Sequence, residues 1–365
     1  MDEVKGSQDG EFWQWIVSMP KAEIHIHLEG TVSPETLLTL ADRYGRLHDL
    51  PGNDVAAIRR WMAFTDFDDF IDKYLFIVNL LRTEDDFQML VDACGQDMAR
   101  QGIRYREVTV TPFLHTASRH DPISFDVMLS GLEAGRTAAK EKYGVEIRWI
   151  FDVPRNASFV DDDPADYDPS PANETLAYAL RAIDCGCVGF GLGGSEVNAP
   201  PEPFGHAFTR AKEAGLRSVP HAGETMGPNS IWGALRVLQA DRIGHGVRSV
   251  EDPELLVYLK ERRIPLEVNV TSNICLHVYP SVESHPFVYL DRMGLLLTIN
   301  SDDPPLFDTS LVQEYYLLHD VLKYDKPNIA RIARNAIEVA AVEVDVRQTL
   351  LDEFDRWANL FVPHA

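Results

Sequence analysis

Short apolar runs alternate along this chain with stretches of helical spacing, and each run leads into a loop. Eight runs stand out, at 22–27, 103–110, 145–151, 188–191, 217–221, 242–245, 265–269 and 295–299. Helices are predicted between most of them. Pro34 to Tyr44 follows Ser33, an N-cap residue, with proline at the first helical position. From Thr83 to Arg100, residues Phe87, Leu90, Val91, Cys94 and Met98 fall on one stripe. Segments 124–142, 172–184, 203–214, 230–239 and 253–261 read as further helices, many closed by a glycine.

Strands alternating with helices predict a mostly parallel sheet joined by right-handed crossovers. Polar residues follow runs one, five, six and eight, and they decide between an open and a closed sheet. In an open doubly wound sheet the first and eighth strands lie too far apart to share a site, unless the strand order is unusual. In a closed (β/α)8 TIM barrel all strand ends face one mouth. The expected fold is therefore α/β, a (β/α)8 TIM barrel with extra helices. Residues 1–365 form a single catalytic domain in this reading, with a barrel core at about 20–340. An aromatic-rich insertion at about 46–80 carries Trp61, Phe64, Phe67, Phe70, Tyr74 and Phe76. Most of these are expected to pack, the rest forming an apolar lid beside the mouth. Residues 155–171, with Asp161, Asp162, Asp163 and Pro164, read as a solvated acidic loop. Three helices near the end, at 309–321, 328–340 and 346–358, are expected to cover the barrel.

Apolar residues make up 45% of the chain, enough for a substantial core. Lys and Arg total 34 against 57 Asp and Glu, and the net charge of −23 argues against a nucleic-acid duplex or an anionic bilayer as partner. The expected partner is a small molecule, and the oligomeric state is left open. Cys94, Cys185, Cys187 and Cys275 do not resemble a disulfide framework, which favours a reducing compartment. Met1 to Gly10 has no basic region leading into an apolar core, so it does not read as a secretory signal. No apolar run approaches the roughly 20 residues that span a membrane. Together these features give a cytoplasmic reading.

His25-Ile26-His27 is the densest chemical signal. Side chains alternate along a strand, so the two imidazoles share one face, with Cα atoms roughly 6–7 Å apart. That spacing lets two nitrogens converge on a divalent ion. His221-Ala222-Gly223-Glu224, His245-Gly246 and Ser301-Asp302-Asp303 each follow a later run. His25, His27 and His221 offer three nitrogens and Asp302 an oxygen, a donor set suited to one zinc or another divalent ion per chain, with Asp303 a rival to Asp302. Such an ion makes water acidic enough to attack at neutral pH. Glu224, protonated, can donate to a ring nitrogen or leaving group, while His245 and Asp303 orient and deprotonate the water. His245 can also stabilise developing oxygen charge. The plainer alternatives are a helix-capping Glu224 and a structural His245. Gly191-Leu192-Gly193-Gly194-Ser195-Glu196 lacks the spacing of a dinucleotide fingerprint. It reads either as a tight turn or as backbone over which a flat ring can lie.

These residues together make the chain resemble the adenosine deaminase family of the metal-dependent amidohydrolases, from about Pro20 to about Ala340. The motifs are Met19-Pro20-Lys21-Ala22-Glu23-Ile24-His25-Ile26-His27-Leu28-Glu29-Gly30, His221 to Glu224, Arg242-Ile243-Gly244-His245-Gly246 and Asn300-Ser301-Asp302-Asp303-Pro304. The resemblance implies a barrel of metal-dependent hydrolase type with zinc on His25, His27, His221 and Asp302. It implies Glu224 as the residue that protonates purine N1, His245 and Asp303 as those that manage the water, and Gly194 as the amide that meets N3. His27, Glu29, Gly194 and Asp303 would contact substrate. The implied reaction is hydrolytic deamination of adenosine or 2′-deoxyadenosine at C6, giving the 6-oxopurine and ammonia. Glu29 stands where adenosine enzymes carry an aspartate that helps hold the 5′-hydroxyl, and this resembles the branch acting on free adenine. Some members of the wider group act on 6-aminodeoxyfutalosine, an adenine nucleoside with a bulky 5′ extension. Two-metal amidohydrolases are disfavoured because no lysine ends run three or four. A growth-factor-like binding role lacks the secretory extension and disulfides it would need.

Overall fold

The computed structural model describes residues 7–119, 121–159 and 163–362, so Asp161, Asp162 and the first six residues lie outside the described residues. Each apolar run is a strand: β1 (Lys21–His27), β2 (Ile103–Val110), β3 (Glu146–Pro154), β4 (Cys187–Gly193), β5 (Arg217–Ala222), β6 (Ile243–His245), β7 (Leu266–Val268) and β8 (Leu297–Ile299). They stand in sequence order, each parallel to the next. Between β8 and β1 the ring closes just past the end of β8. His27 N–H donates to the Asp302 carbonyl at 3.0 Å and Asp302 N–H to the His25 carbonyl at 3.3 Å. The Asn300 side chain accepts from Ile24 N–H at 3.1 Å. The fold is a nearly closed (β/α)8 barrel.

Both faces of β1 are buried, so its alternation does not separate core from solvent. Ala22, Ile24 and Ile26 join the hydrophobic core. The polar set pairs internally: Lys21 Nζ donates to the carbonyls of Ile16 and Met19 at 2.6 and 2.8 Å. Glu23 accepts from Arg106 Nε at 2.6 Å and Ser301 N–H at 3.0 Å. A buried ionic group needs such partners, and these hold the face that carries His25 and His27.

Helices at Ser7–Ser18, Pro112–Thr116, Val270–Cys275 and Phe287–Met293 fall outside the expected set. The last three span two turns or fewer, too short to show a period. The first buries Phe12, Trp15, Ile16 and Met19 just beyond it. It is covered by the chain's last helix, Val344–Phe361: Trp15 Nε1 donates to the Phe361 carbonyl and Trp357 Nε1 to Ser18 Oγ, both at 3.0 Å. Helices Leu311–Asp320 and Lys326–Val339 pack against β8, and the latter also against β1. The insertion folds as helices Val55–Met62 and Phe67–Leu80. Phe70 stacks on Phe307 from the loop after β8 at 5.5 Å, which anchors the second helix over the barrel mouth. In the acidic segment, Arg155–Ser158 forms a short 3-10 turn and Phe159 bridges to Tyr167. All four cysteines are free. No helix among the described residues is long and apolar enough to cross a membrane.

Candidate metal centre and cavity

Four strand ends bring six polar residues together. His25 and His27 lie at the end of β1, His221 near the end of β5 and His245 at the end of β6, while Asp302 and Asp303 follow β8. His27 Nε2 is 3.2 Å from His221 Nε2 and 3.3 Å from Asp302 Oδ1, and His25 Nε2 is 3.3 Å from the same oxygen. Donors on bonds of about 2.1 Å around a tetrahedral ion stand about 3.4 Å apart. The spacing therefore suits one small divalent ion, and His25 Nε2 has no properly aligned hydrogen-bond partner. The donor atoms of His25, His221, His245 and Asp302 also fall within 4.8 Å of one another, and His27 groups likewise with Asp302 and Asp303. His245 Nε2, however, stands 3.8 Å from Asp302 Oδ2 and 3.7 Å from Glu224 Oε1. That leaves it within reach of Glu224 as well as of the cluster. Two of these residues, His245 (φ 61°) and Asp302 (φ 64°), adopt the left-handed backbone region. Such strain costs about 1–3 kcal/mol each and gathers at functional sites.

Electrostatics match the geometry. Burial opposes charge on His25, but the adjacent carboxylates of Asp302 and Glu267 outweigh it and raise its pKa to about 10. Burial likewise opposes charge on His27, and Asp303 and Asp302 raise it to about 9. His221 is driven well down by burial and the neighbouring imidazoles. Burial pushes Asp303 up, whereas the neighbouring imidazoles of His25 and His27 overcome burial and hold Asp302 low. A proton and a divalent cation thus compete for the same nitrogens.

Behind the donors lies a supporting layer that sequence reading missed. His25 Nδ1 meets Glu267 Oε2 at 2.9 Å, and Glu267 Oε1 receives Arg242 Nε at 2.5 Å. This fixes the ring so that Nε2 faces the cluster. Glu267→Gln is expected to weaken divalent-ion binding by about 10- to 100-fold. Titration against a competing chelator checks this, and unchanged affinity would reduce Glu267 to packing. Asn273 Nδ2 lies 3.1 Å from His245 Nδ1, and burial lowers the His245 pKa to about 4, leaving the ring neutral. Glu196, also missed, accepts backbone N–H bonds from Gly223, Glu224, Thr225 and Met226 at 2.8–3.3 Å and a bond from the Ser230 hydroxyl. It fixes the loop that presents Glu224. Burial, with the charges of Asp302 and Glu196, raises the Glu224 pKa to about 8, so this carboxyl holds a proton at neutral pH.

A cavity of ≈ 340 Å³ opens from the cluster. His27, His221, Glu224, His245, Asp302 and Asp303 form its polar end, Gly193, Gly194 and Asn156 flank it, and Phe67, Phe70, Ile71, Tyr74, Leu75 and Leu114 make an apolar wall. Five of those six wall residues belong to the helical insertion. Gly30 is required by close approach, since a Cβ there would fall 1.8 Å from Asp303 Oδ1. Glu29 departs from its expected place. It is fully buried and outside the cavity lining, with Oε1 2.8 Å from His115 Nε2 and Oε2 accepting from the Tyr74 hydroxyl at 3.0 Å. Both oxygens of its carboxylate are met by protein partners.

The family model for adenosine deaminase matches residues 20–357. An aminodeoxyfutalosine deaminase of Streptomyces coelicolor is 41% identical over 345 residues, covering 94% of this chain and 85% of that protein. The aminodeoxyfutalosine deaminase of Streptomyces avermitilis is 38% identical over 361 residues, covering 97% of each. The crystal structure of an adenine deaminase from Arthrobacter aurescens superposes with a TM-score of 0.84 at 32% identity, covering 93% of this chain and 99% of that one.

Proposed function

The chain belongs to the adenosine deaminase family and is a metal-dependent deaminase acting on a purine, and from that premise we propose that its substrate is an adenine nucleoside extended at the 5′ position, 6-aminodeoxyfutalosine. One observation carries the choice. The position from which adenosine enzymes hold a 5′-hydroxyl is Glu29, whose oxygens are taken by His115 and Tyr74. The adjoining wall of Phe67, Phe70, Ile71 and Leu75 offers apolar surface instead. A 5′-hydroxyl there would be desolvated without a partner, whereas an apolar extension gains about 0.8 kcal/mol per buried methylene. The similarity to aminodeoxyfutalosine deaminases points the same way.

His25, His27, His221 and Asp302 are the residues that would hold the ion, zinc on the chemistry of three imidazoles and one carboxylate. When bound, the ion supplies Lewis acidity and lowers the pKa of water. The remaining steps belong to side chains. Glu224 gives its proton to purine N1, which makes C6 electron-poor. Asp303 accepts a proton from the attacking water, and neutral His245, held at Nδ1 by Asn273, presents Nε2–H to the oxygen as charge develops on it. Asp303 passes that proton to the amino group, which leaves as ammonia while the remaining hydroxyl proton returns to Glu224, and a 6-oxopurine remains. Gly194 offers its backbone N–H to N3 and so sets the depth of the ring. Catalytic gain lies in holding the tetrahedral C6 better than the flat purine.

The test compares kcat/KM for 6-aminodeoxyfutalosine, 5′-deoxy-5′-methylthioadenosine, adenosine and adenine on zinc-loaded protein, followed by loss of the 6-aminopurine absorbance. The extended nucleoside should lead adenosine by at least about tenfold, the worth of two buried methylenes. A higher value for adenosine or adenine overturns the substrate reading. Glu224 works protonated and Asp303 ionised, and burial holds both near 8, so kcat/KM should pass a maximum near pH 8 and fall above it as Glu224 loses its proton. A profile flat through the alkaline range would remove its acid role.

A further inference from the structure

Four carboxylates line the cavity, and the proposed chemistry uses three of them: Glu224, Asp302 and Asp303. The fourth, Asp152, sits on β3 opposite Gly191 of β4. It is 98% buried, and its Oδ1 has no hydrogen-bond partner. The cations beside it, His27, Arg155 and His25, make no hydrogen bond to that oxygen. Arg155 turns its two terminal nitrogens to the carbonyls of Leu192, Ala199 and His221. A buried carboxylate without a donor is costly and rare.

The neighbouring strand is shaped around this carboxylate. A Cβ at Gly191 would come 2.8 Å from Asp152 Oδ1, and one at Gly193 would come 2.2 Å from Oδ2. Glycine at both positions keeps that volume free, at a place adjoining Gly194 on the cavity wall. Resting on the nucleoside reading above, Gly194 meets purine N3. Around the ring, N3 is followed by C4 and then N9, which carries the sugar. Donors able to reach Asp152 therefore arrive from the N9 side.

We propose that Asp152 is a specificity-determining residue that accepts hydrogen bonds from the sugar hydroxyls of the nucleoside substrate. A carboxylate pre-placed without protein donors is matched by a ligand that brings two O–H groups. A free purine base, lacking them, leaves it unsatisfied.

The experiment compares adenosine with 2′,3′-dideoxyadenosine on zinc-loaded wild type, Asp152→Ala and Asp152→Asn. In the wild type, kcat/KM should favour adenosine by about 10- to 100-fold, the range for hydrogen bonds to a charged group. In Asp152→Ala the preference should shrink to within about threefold, since the cycle removes both partners of one interaction. Asp152→Asn, the same shape without the charge, should fall between. Competition by inosine and 2′,3′-dideoxyinosine reads the same ratio as binding if turnover of a variant is too slow, and zinc content confirms an intact centre. An unchanged ratio in Asp152→Ala, or no preference in the wild type, overturns the assignment. Riboside turnover with a flat ratio sinks this inference alone, whereas absence of turnover on every riboside sinks the nucleoside reading and this one together.

Discussion

Glu224→Gln is expected to lower kcat by about 10²- to 10⁴-fold while the protein keeps its full complement of ion. Glutamine matches glutamate in shape and still donates a hydrogen bond to N1, but it has no proton to give. The loop survives the change because its anchor is elsewhere: Glu196 takes four consecutive backbone N–H groups from Gly223 to Met226. Glu224 lies outside the proposed donor set, its nearest approach to an imidazole being 3.7 Å to His245. Zinc content should therefore match wild type, and kcat and kcat/KM should fall together, the signature of an interaction made in the transition state. Near-normal kcat in this variant would remove Glu224 from the acid role.

Asp302→Ala is expected to empty the centre. Asp302 Oδ1 stands 3.3 Å from the Nε2 atoms of both His25 and His27, so one oxygen ties the two imidazoles of β1 to β8. Without it the donor set loses its only anionic oxygen and keeps three imidazoles packed close, with His221 Nε2 3.2 Å from His27 Nε2. Bound ion should fall from one per chain to a small fraction, and activity by about 10³-fold or more, since Lewis-acid activation is worth several kcal/mol. Elemental analysis after dialysis, beside kcat with added zinc, reads both effects. Retention of stoichiometric ion by Asp302→Ala would shift the carboxylate ligand to Asp303.

All eight strands were legible because buried parallel strands are continuous apolar runs, and because helices with glycine ends separate them. The histidines and aspartates were legible because each closes such a run. What stayed hidden depends on contacts between distant segments. Glu267 inside Leu266-Glu267-Val268 looks like one polar interruption until His25 and Arg242 are seen against it. Asp152, likewise, reads as one acid just after an apolar run, and only its pairing with Gly191 shows that room was left for it. The setting of Glu29 stayed hidden for the same reason: its partners His115 and Tyr74 come from two separate helices, and local pattern carries no sign of them. The first helix had a readable stripe in Phe12, Trp15 and Ile16, but the segment is short and begins in polar residues.

The seam between the first and last strands has a consequence for folding. Its two backbone bonds are made by His25, His27 and Asp302 themselves, and the side chains of these three residues also form the donor cluster. An ion held there would join the two margins of the ring, so that metallation would favour ring closure. The protein would then be hardest to pry open where its chemistry takes place, and chelation would loosen the hoop before it loosened any stave.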